Sequence, residues 1–354
     1  MIKLLSKEYS LFVALFTIIG MLFLEHSLAS SSLGNLFGFL LIFSVVIYSS
    51  LSVAHHAEML AEKYGEPYGT LILTISAVLV EIVIIVIMMS HSGSSTLARD
   101  TIYSAVMLDI NGLLGVAAII GGIKYGEQPY NVDSSNSYLG MLITAIGIAM
   151  VIPHFIVDTH QSMYYLFVII AFLALYVVFT KIQVSNHKYF FEYKEEETVK
   201  HSTDHINAPY HISILVSSII MIGFLSEVLS VFMGHTLTEF KLPFAIGAVT
   251  VAIISASPEL ITAFRAALDN RMQTVVNIAL GASLATILLT VPAVLVYGKL
   301  TGMDIELALT PLQGTMMGLT ILVGIVNFSD GETNVLEGFL HFILFIVFSF
   351  LIFV

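Results

Sequence analysis

Long apolar stretches recur along the whole chain, separated by short polar joints. A helix needs about 20 apolar residues to cross the hydrocarbon core of a bilayer. Eleven stretches meet that requirement, at 11–29, 36–56, 68–90, 99–122, 137–157, 162–182, 210–233, 243–268, 274–298, 305–326 and 334–354. The runs are nearly continuous rather than alternating, which predicts an all-α polytopic membrane protein. The longest hydrophilic stretch, 183–209, divides the spans into one N-terminal helix, five before the break and five after it. Five is an odd number, so two copies of one unit must enter the membrane in opposite senses, the inverted repeat of many secondary transporters. The expected divisions are 1–32 (N-terminal helix), 33–182 (first repeat), 183–209 (acidic cytoplasmic loop) and 210–354 (second repeat).

Composition narrows the class further. The chain is 57% hydrophobic and 11% charged, against about 25% charged residues in a soluble domain. Its mean hydropathy is +0.95. It contains no cysteine, which excludes a disulfide scaffold and a thiolate metal centre. A net charge of -12 without a basic cluster argues against a nucleic-acid partner. The first apolar run is read as a retained span and not as a removed leader. Ten basic residues fall on the N-terminal side of the membrane: Lys3, Lys7, Lys63, Lys124, Lys181, Lys188, Lys194, Lys200, Arg265 and Arg271. Arg99, Lys241 and Lys299 fall on the other. Positive residues favour the cytoplasm, so the N-terminus is expected inside a cell membrane and the C-terminus outside it.

Two glutamates interrupt this apolar background, Glu81 in the third span and Glu259 in the eighth. A carboxylate at mid-bilayer depth costs about 2.5 kcal/mol or more unless something compensates it. Each lies in the second span of its five, past Pro67-Tyr68-Gly69 and Pro243-Phe244-Ala245, so the two acids are expected to meet near the midplane. Within Ser255-Ala-Ser-Pro-Glu259, Pro258 has no amide hydrogen for the carbonyl of residue 254. Freed carbonyls beside a carboxylate suit a hard cation, which takes six to eight oxygens when it is calcium. Ser255 and Ser257 add hydroxyls, and the following span adds Asn277, Ser283 and Thr286. The matching span of the first half holds Ser104, Asp109 and Asn111. Each hydroxyl has an alternative use, bonding to its own helix backbone, and Asp109 is either a third acid or a residue near a span end. His55, His56, Glu58 and Glu62 follow an apolar run at helical spacing and read as a solvated span end. His201, His205 and His211, in or beside the polar loop, read as solvated residues, with pH sensing the alternative. His154 and His341 fall within spans and are either satisfied interior side chains or members of a proton path.

The segment from His55 through Gly65-Glu-Pro-Tyr-Gly-Thr-Leu71 resembles the start of the first repeat in ChaA-type calcium/proton antiporters of the cation/calcium exchanger superfamily. Arg99-Asp-Thr-Ile-Tyr-Ser104, Ser257-Pro-Glu259, Leu284-Ala-Thr-Ile-Leu-Leu-Thr-Val-Pro292 and Thr333-Asn-Val-Leu336 are similar to the same family. The likeness runs from about residue 50 to the C-terminus. It implies that Glu81 and Glu259 hold the transported cation and protons, that an acidic segment joins the halves, and that Glu58 and Glu62 gate. The chain departs from the wider calcium/proton exchangers, which carry Gly-Asn-Ala-x-Glu. Here the positions read Ala77-Val-Leu-Val-Glu81 and Ser255-Ala-Ser-Pro-Glu259. Both asparagines are missing, and fewer fixed oxygens would suit Na+ or K+.

The expectation is a secondary antiporter exporting Ca2+ in exchange for protons, not an enzyme. The expected cation ligands are Glu81, Glu259, Ser255, Ser257, Asn111 and Ser283, with the two glutamates also carrying protons. Na+ or K+/proton exchange is the alternative, and a cation channel the reading from another class. No cofactor is expected beyond the transported ions. The partners are membrane lipid and inorganic cations, with homo-oligomerisation left open.

Overall fold

Apolar runs broken by capping residues fold into a series of membrane-crossing helices, and a computed structural model describes them over residues 8–64, 68–183 and 206–353. They are α1 (Tyr9–Leu28), α2 (Ser32–Tyr64), α3 (Tyr68–Ser92), α4 (Leu97–Tyr125), α5 (Val132–Phe155), α6 (Asp158–Lys181), α7 (Ala208–Glu239), α8 (Ala245–Leu268), α9 (Met272–Thr301), α10 (Pro311–Asn327) and α11 (Val335–Leu351). Among the described residues, nine helices are long and apolar enough to cross a membrane. The last two have 17 residues each and so span about 25 Å. Glu192, Glu195, Glu196, Glu197, His201 and His205 lie outside the described residues.

The ends of these helices are written locally. The Asn131 side chain accepts from the amides of Asp133 and Ser134, and that of Asn334 from Leu336 and Glu337. The tenth helix begins at Pro311, six residues after the expected start of its span at 305. The Thr310 hydroxyl accepts from the Gln313 amide, the Gln313 side chain accepts from the Thr310 amide, and Pro311 occupies the first turn. The apolar residues just before it are extended instead. The Leu309 amide donates to the Met150 carbonyl at 2.9 Å.

The two five-helix repeats are α2–α6 and α7–α11, inverted relative to one another. Their first members are the long helices, of 33 and 32 residues. Their third members, α4 and α9, each widen into a π turn, at Leu108–Leu113 and Thr286–Thr290. Side-chain bonds repeat the correspondence. At the start of α4, Arg99 Nη1 donates to Glu306 Oε1 at 3.0 Å and to the Ala308 carbonyl at 3.2 Å. Asp100 Oδ1 accepts there from Gln313 Nε2 at 2.8 Å. At the start of α9, Gln273 Oε1 accepts from the Asn131 amide at 2.6 Å, and Asn270 Oδ1 from Gln128 Nε2 at 2.8 Å. The third helix of each repeat thus grips the segment leading into the fourth helix of the other. Beside the second clasp, β1 (Gln128–Pro129) pairs antiparallel with β2 (Glu332–Thr333).

The chain divides into two compact units that cut across the repeats. One contains residues 1–97 and 201–258, and the other 98–200 and 259–354. In the first, α7 packs on α1, α2 and α3. Gly38 faces the Phe232 ring there, which a Cβ would approach to 2.6 Å. In the second, α11 packs on α4 and α9 on α5. The α4–α11 contact is made by glycines, which let main chains approach closely. A Cβ at Gly338 would lie 2.7 Å from the Ile119 amide nitrogen and 2.8 Å from the Gly115 carbonyl. Neither is a flexible side-chain end. Gly338→Ala is therefore expected to destabilise the protein by about 1–3 kcal/mol, seen as a lower unfolding temperature in detergent. Gly318→Ala, where nothing lies within 4 Å of the added atom, is expected to match or exceed the parent. Equal midpoints for the two variants would refute the close-approach account.

Candidate ion-binding site

The two acids occupy helix interiors, as the hydropathy pattern requires. Glu81 is 2% exposed on α3, within the first unit. Glu259 is half-buried on α8 and begins the 259–354 stretch of the second unit. The α8 helix continues through Pro258 without a break, although Pro258 has no amide hydrogen for the Ile254 carbonyl. The neighbouring hydroxyls spend their hydrogens locally. Ser257 Oγ donates to the Ile253 carbonyl at 2.5 Å and Ser255 Oγ to that of Ala252 at 3.1 Å. Their lone pairs keep the capacity to face a cation.

The second unit holds a buried polar centre that the sequence only partly announced. Asp109 and Asn111 both sit in the π turn of α4 and are fully buried. The extra residue of a π turn rotates the side chains after it, so α4 presents two polar groups two positions apart to its neighbours. Asp109 therefore lies mid-helix, not near a span end. Its Oδ2 accepts from Ser283 Oγ of α9 at 3.1 Å. Asn111 Nδ2 donates to Thr320 Oγ1 of α10 at 2.7 Å and toward Met107 Sδ at 3.5 Å. Asn111 Oδ1 lies 3.0 Å from His341 Nδ1 of α11. Thr320 was not foreseen, because its partner is 209 residues away.

Other candidates are placed elsewhere. Asn277 Oδ1 accepts from Gln273 Nε2 at 2.8 Å, beside the clasp at the start of α9. Ser104 Oγ donates to the Asp100 carbonyl at 2.6 Å, the backbone use. Thr286 is buried in the π turn of α9. Glu58 and Glu62 are exposed on the last turns of α2.

The histidines depart from expectation in three places. His154 is exposed on the 3-10 turn that ends α5 and is not an interior residue. His56 is 2% exposed rather than solvated. His211 is half-buried against it, with Nδ1 to Nδ1 at 2.8 Å. Glu8, just ahead of α1, completes the group: Oε2 lies 3.1 Å from His56 Nε2, and Tyr210 Oη donates to Oε1. No local pattern reveals this, since it joins residues from three helices. Among the described residues, no group of three or more His, Asp or Glu is arranged to hold a metal ion.

Comparison with known proteins gives a consistent placement. The family model described as sodium/calcium exchanger protein matches residues 34–185 and 210–354. The chain is 34% identical over 319 residues to the sodium-potassium/proton antiporter ChaA of Escherichia coli, covering 87% of this chain and 86% of that one. It is 31% identical over 302 residues to the putative ionic transporter y4hA of Sinorhizobium fredii, covering 83% and 82%. Its fold matches the solved structure of native YfkE with a TM-score of 0.75 at 19% identity, over 96% of this chain and 97% of that one.

Proposed function

The chain belongs to the sodium/calcium exchanger protein family, and from that premise we propose that it is a cation/proton antiporter exporting Ca2+ from the cytoplasm in exchange for protons. The observation that carries this is the placement of one acid in the second helix of each repeat, Glu81 and Glu259, inside helices whose remaining side chains are apolar or small and polar except for His91 and Arg265 in their last turns. Each glutamate takes either the cation or a proton. Ser255, Ser257, Asn111 and Ser283 complete the proposed ligand set, with Glu58 and Glu62 as gating acids. Coupling then needs no covalent chemistry, because a group occupied by one ion is closed to the other. The protein sits in the cell membrane with its N-terminus cytoplasmic and its C-terminus outside.

A second reading, Na+ or K+/proton exchange, draws on two observations. One is the 34% identity to a sodium-potassium/proton antiporter. The other is the scarcity of uncommitted oxygens: the Asn111 carbonyl oxygen already faces His341, and Asp109 Oδ2 already accepts from Ser283. Calcium wants six to eight oxygens, and a site offering fewer loses more for Ca2+ than for a monovalent ion.

Glu81→Gln and Glu259→Gln keep shape and remove the titratable charge, so each is expected to abolish exchange in proteoliposomes while protein accumulates normally. Retained cation-driven proton movement in either variant would remove that residue from the site.

Shared occupancy also fixes a pH dependence. Protonation removes the anion the cation needs, so apparent cation affinity falls as pH falls, by up to about tenfold per unit for each competing proton. The two acids titrate as a coupled set and not as separate residues. An affinity constant between about pH 4 and about pH 9, a window that reaches down into the ordinary carboxylate range, rules out a shared site even if both glutamates prove essential.

Orientation is tested separately. A tag inserted beside Lys194 is expected to react with impermeant reagents in everted vesicles only. Labelling from outside intact cells would reverse the topology.

A further inference from the structure

We propose that His341 is a positioning residue that sets cation selectivity by holding the side-chain oxygen of Asn111 away from the ion. The inference rests on the proposed antiporter reading and on Asn111 belonging to its ligand set. His341 is 1% exposed on α11. Its Nδ1 lies 3.0 Å from Asn111 Oδ1. Which atom donates follows from the surroundings. The far side of the Asn111 amide meets Thr320 Oγ1 at 2.7 Å and Met107 Sδ at 3.5 Å. A sulfur acceptor there favours the amide nitrogen over its oxygen, so Asn111 Oδ1 faces the imidazole and Nδ1–H donates to it.

The ring has little freedom to release that bond. Phe328 lies beside it, ring centres 6.1 Å apart. Behind it, α4 and α11 are in main-chain contact: a Cβ at Gly115 would come within 3.1 Å of His341 Cβ and 2.9 Å of the Phe342 amide nitrogen. The other ring nitrogen, Nε2, is buried and makes no hydrogen bond among the described residues. The consequence for Asn111 is simple. Its amide NH2 group cannot ligate a cation, so Asn111 serves the proposed ligand set only through its one oxygen, and a cation must compete with His341 for that oxygen. The π turn thus carries an asparagine whose oxygen is a weakened ligand, which handicaps an ion needing many oxygens more than one needing few.

The test compares Ca2+ and K+ exchange in proteoliposomes for the full-length chain. His341→Leu and His341→Met remove the donor and free Asn111 Oδ1. Each is expected to raise apparent Ca2+ affinity relative to K+ by about tenfold, the scale of changes behind a first ligand, with maximal rate little altered. His341→Asn places an amide nitrogen where Nδ1 lay and is expected to keep the parent ratio. Adding Asn111→Ala to the Leu variant should erase the gain. A purely structural histidine predicts lower rates for both ions with the ratio unmoved. An unmoved ratio in the donor-free variants, or a gain that survives without Asn111, overturns the proposal. Should neither apolar variant accumulate, His341→Gln, which lacks a donor at the δ position, is read against His341→Asn, and equal ratios again overturn it. Parent protein that exchanges neither cation for protons refutes the antiporter reading, a separate outcome.

Discussion

A medium without water decides most of this molecule. In hydrocarbon, every main-chain polar group needs an internal partner, so apolar segments become helices and irregular backbone survives only where protein satisfies it. The extended residues before α10 illustrate the rule. They are held by the Arg99 guanidinium on the Ala308 carbonyl, by Leu309 on Met150, and by the Thr310–Gln313 cap. The same medium makes Glu81, Asp109 and Glu259 costly, and residues that costly need a use.

The inverted repeat is expressed in bonds as well as in hydropathy. Arg99 and Asp100 of α4 grip the approach to α10, while Asn270 and Gln273 at the start of α9 grip the approach to α5. The residues differ, but the job is the same: to satisfy a loop that the helices alone leave unpaired. The π turns of α4 and α9 match in the same way. Each compact unit draws members from both halves, so neither repeat closes its own core. The repeats are units of sequence, and the compact units are units of packing.

Hydropathy made the helices legible because about 20 successive apolar residues have few other uses. Glu81 and Glu259 stood out for the same reason. Less was legible where the signal is not periodic. The π turn at Leu108–Leu113 adds one residue to a helical turn and leaves no compositional mark, so the burial of Asp109 could not be fixed in advance. Thr320 and His341 meet Asn111 across more than two hundred positions. The Glu8–His56–His211 group joins three helices, one of them outside both repeats. The late start of α10 is different: Thr-Pro-x-Gln was present in the sequence, and a hydropathy window passed over it.

Counting oxygens links these observations to ion choice. The polar groups buried in the second unit are numerous, and several are turned toward one another: Ser283 on Asp109, Asn111 on Thr320 and His341. Such bonds lower the cost of burying the groups, and each bond that uses an oxygen lone pair also withdraws it from a cation. Stability in the membrane and affinity for a hard ion therefore compete for the same atoms. A chain that reads Ala77-Val-Leu-Val-Glu81 and Ser255-Ala-Ser-Pro-Glu259, with no asparagine ahead of either glutamate, and that bonds the Asn111 of its π turn to its neighbours puts more of such atoms into packing. On the proposed reading the charged ligands are carboxylates, and carboxylate is the ligand that a proton can also claim. The fewer neutral oxygens share the coordination, the more directly proton occupancy and cation occupancy exclude each other.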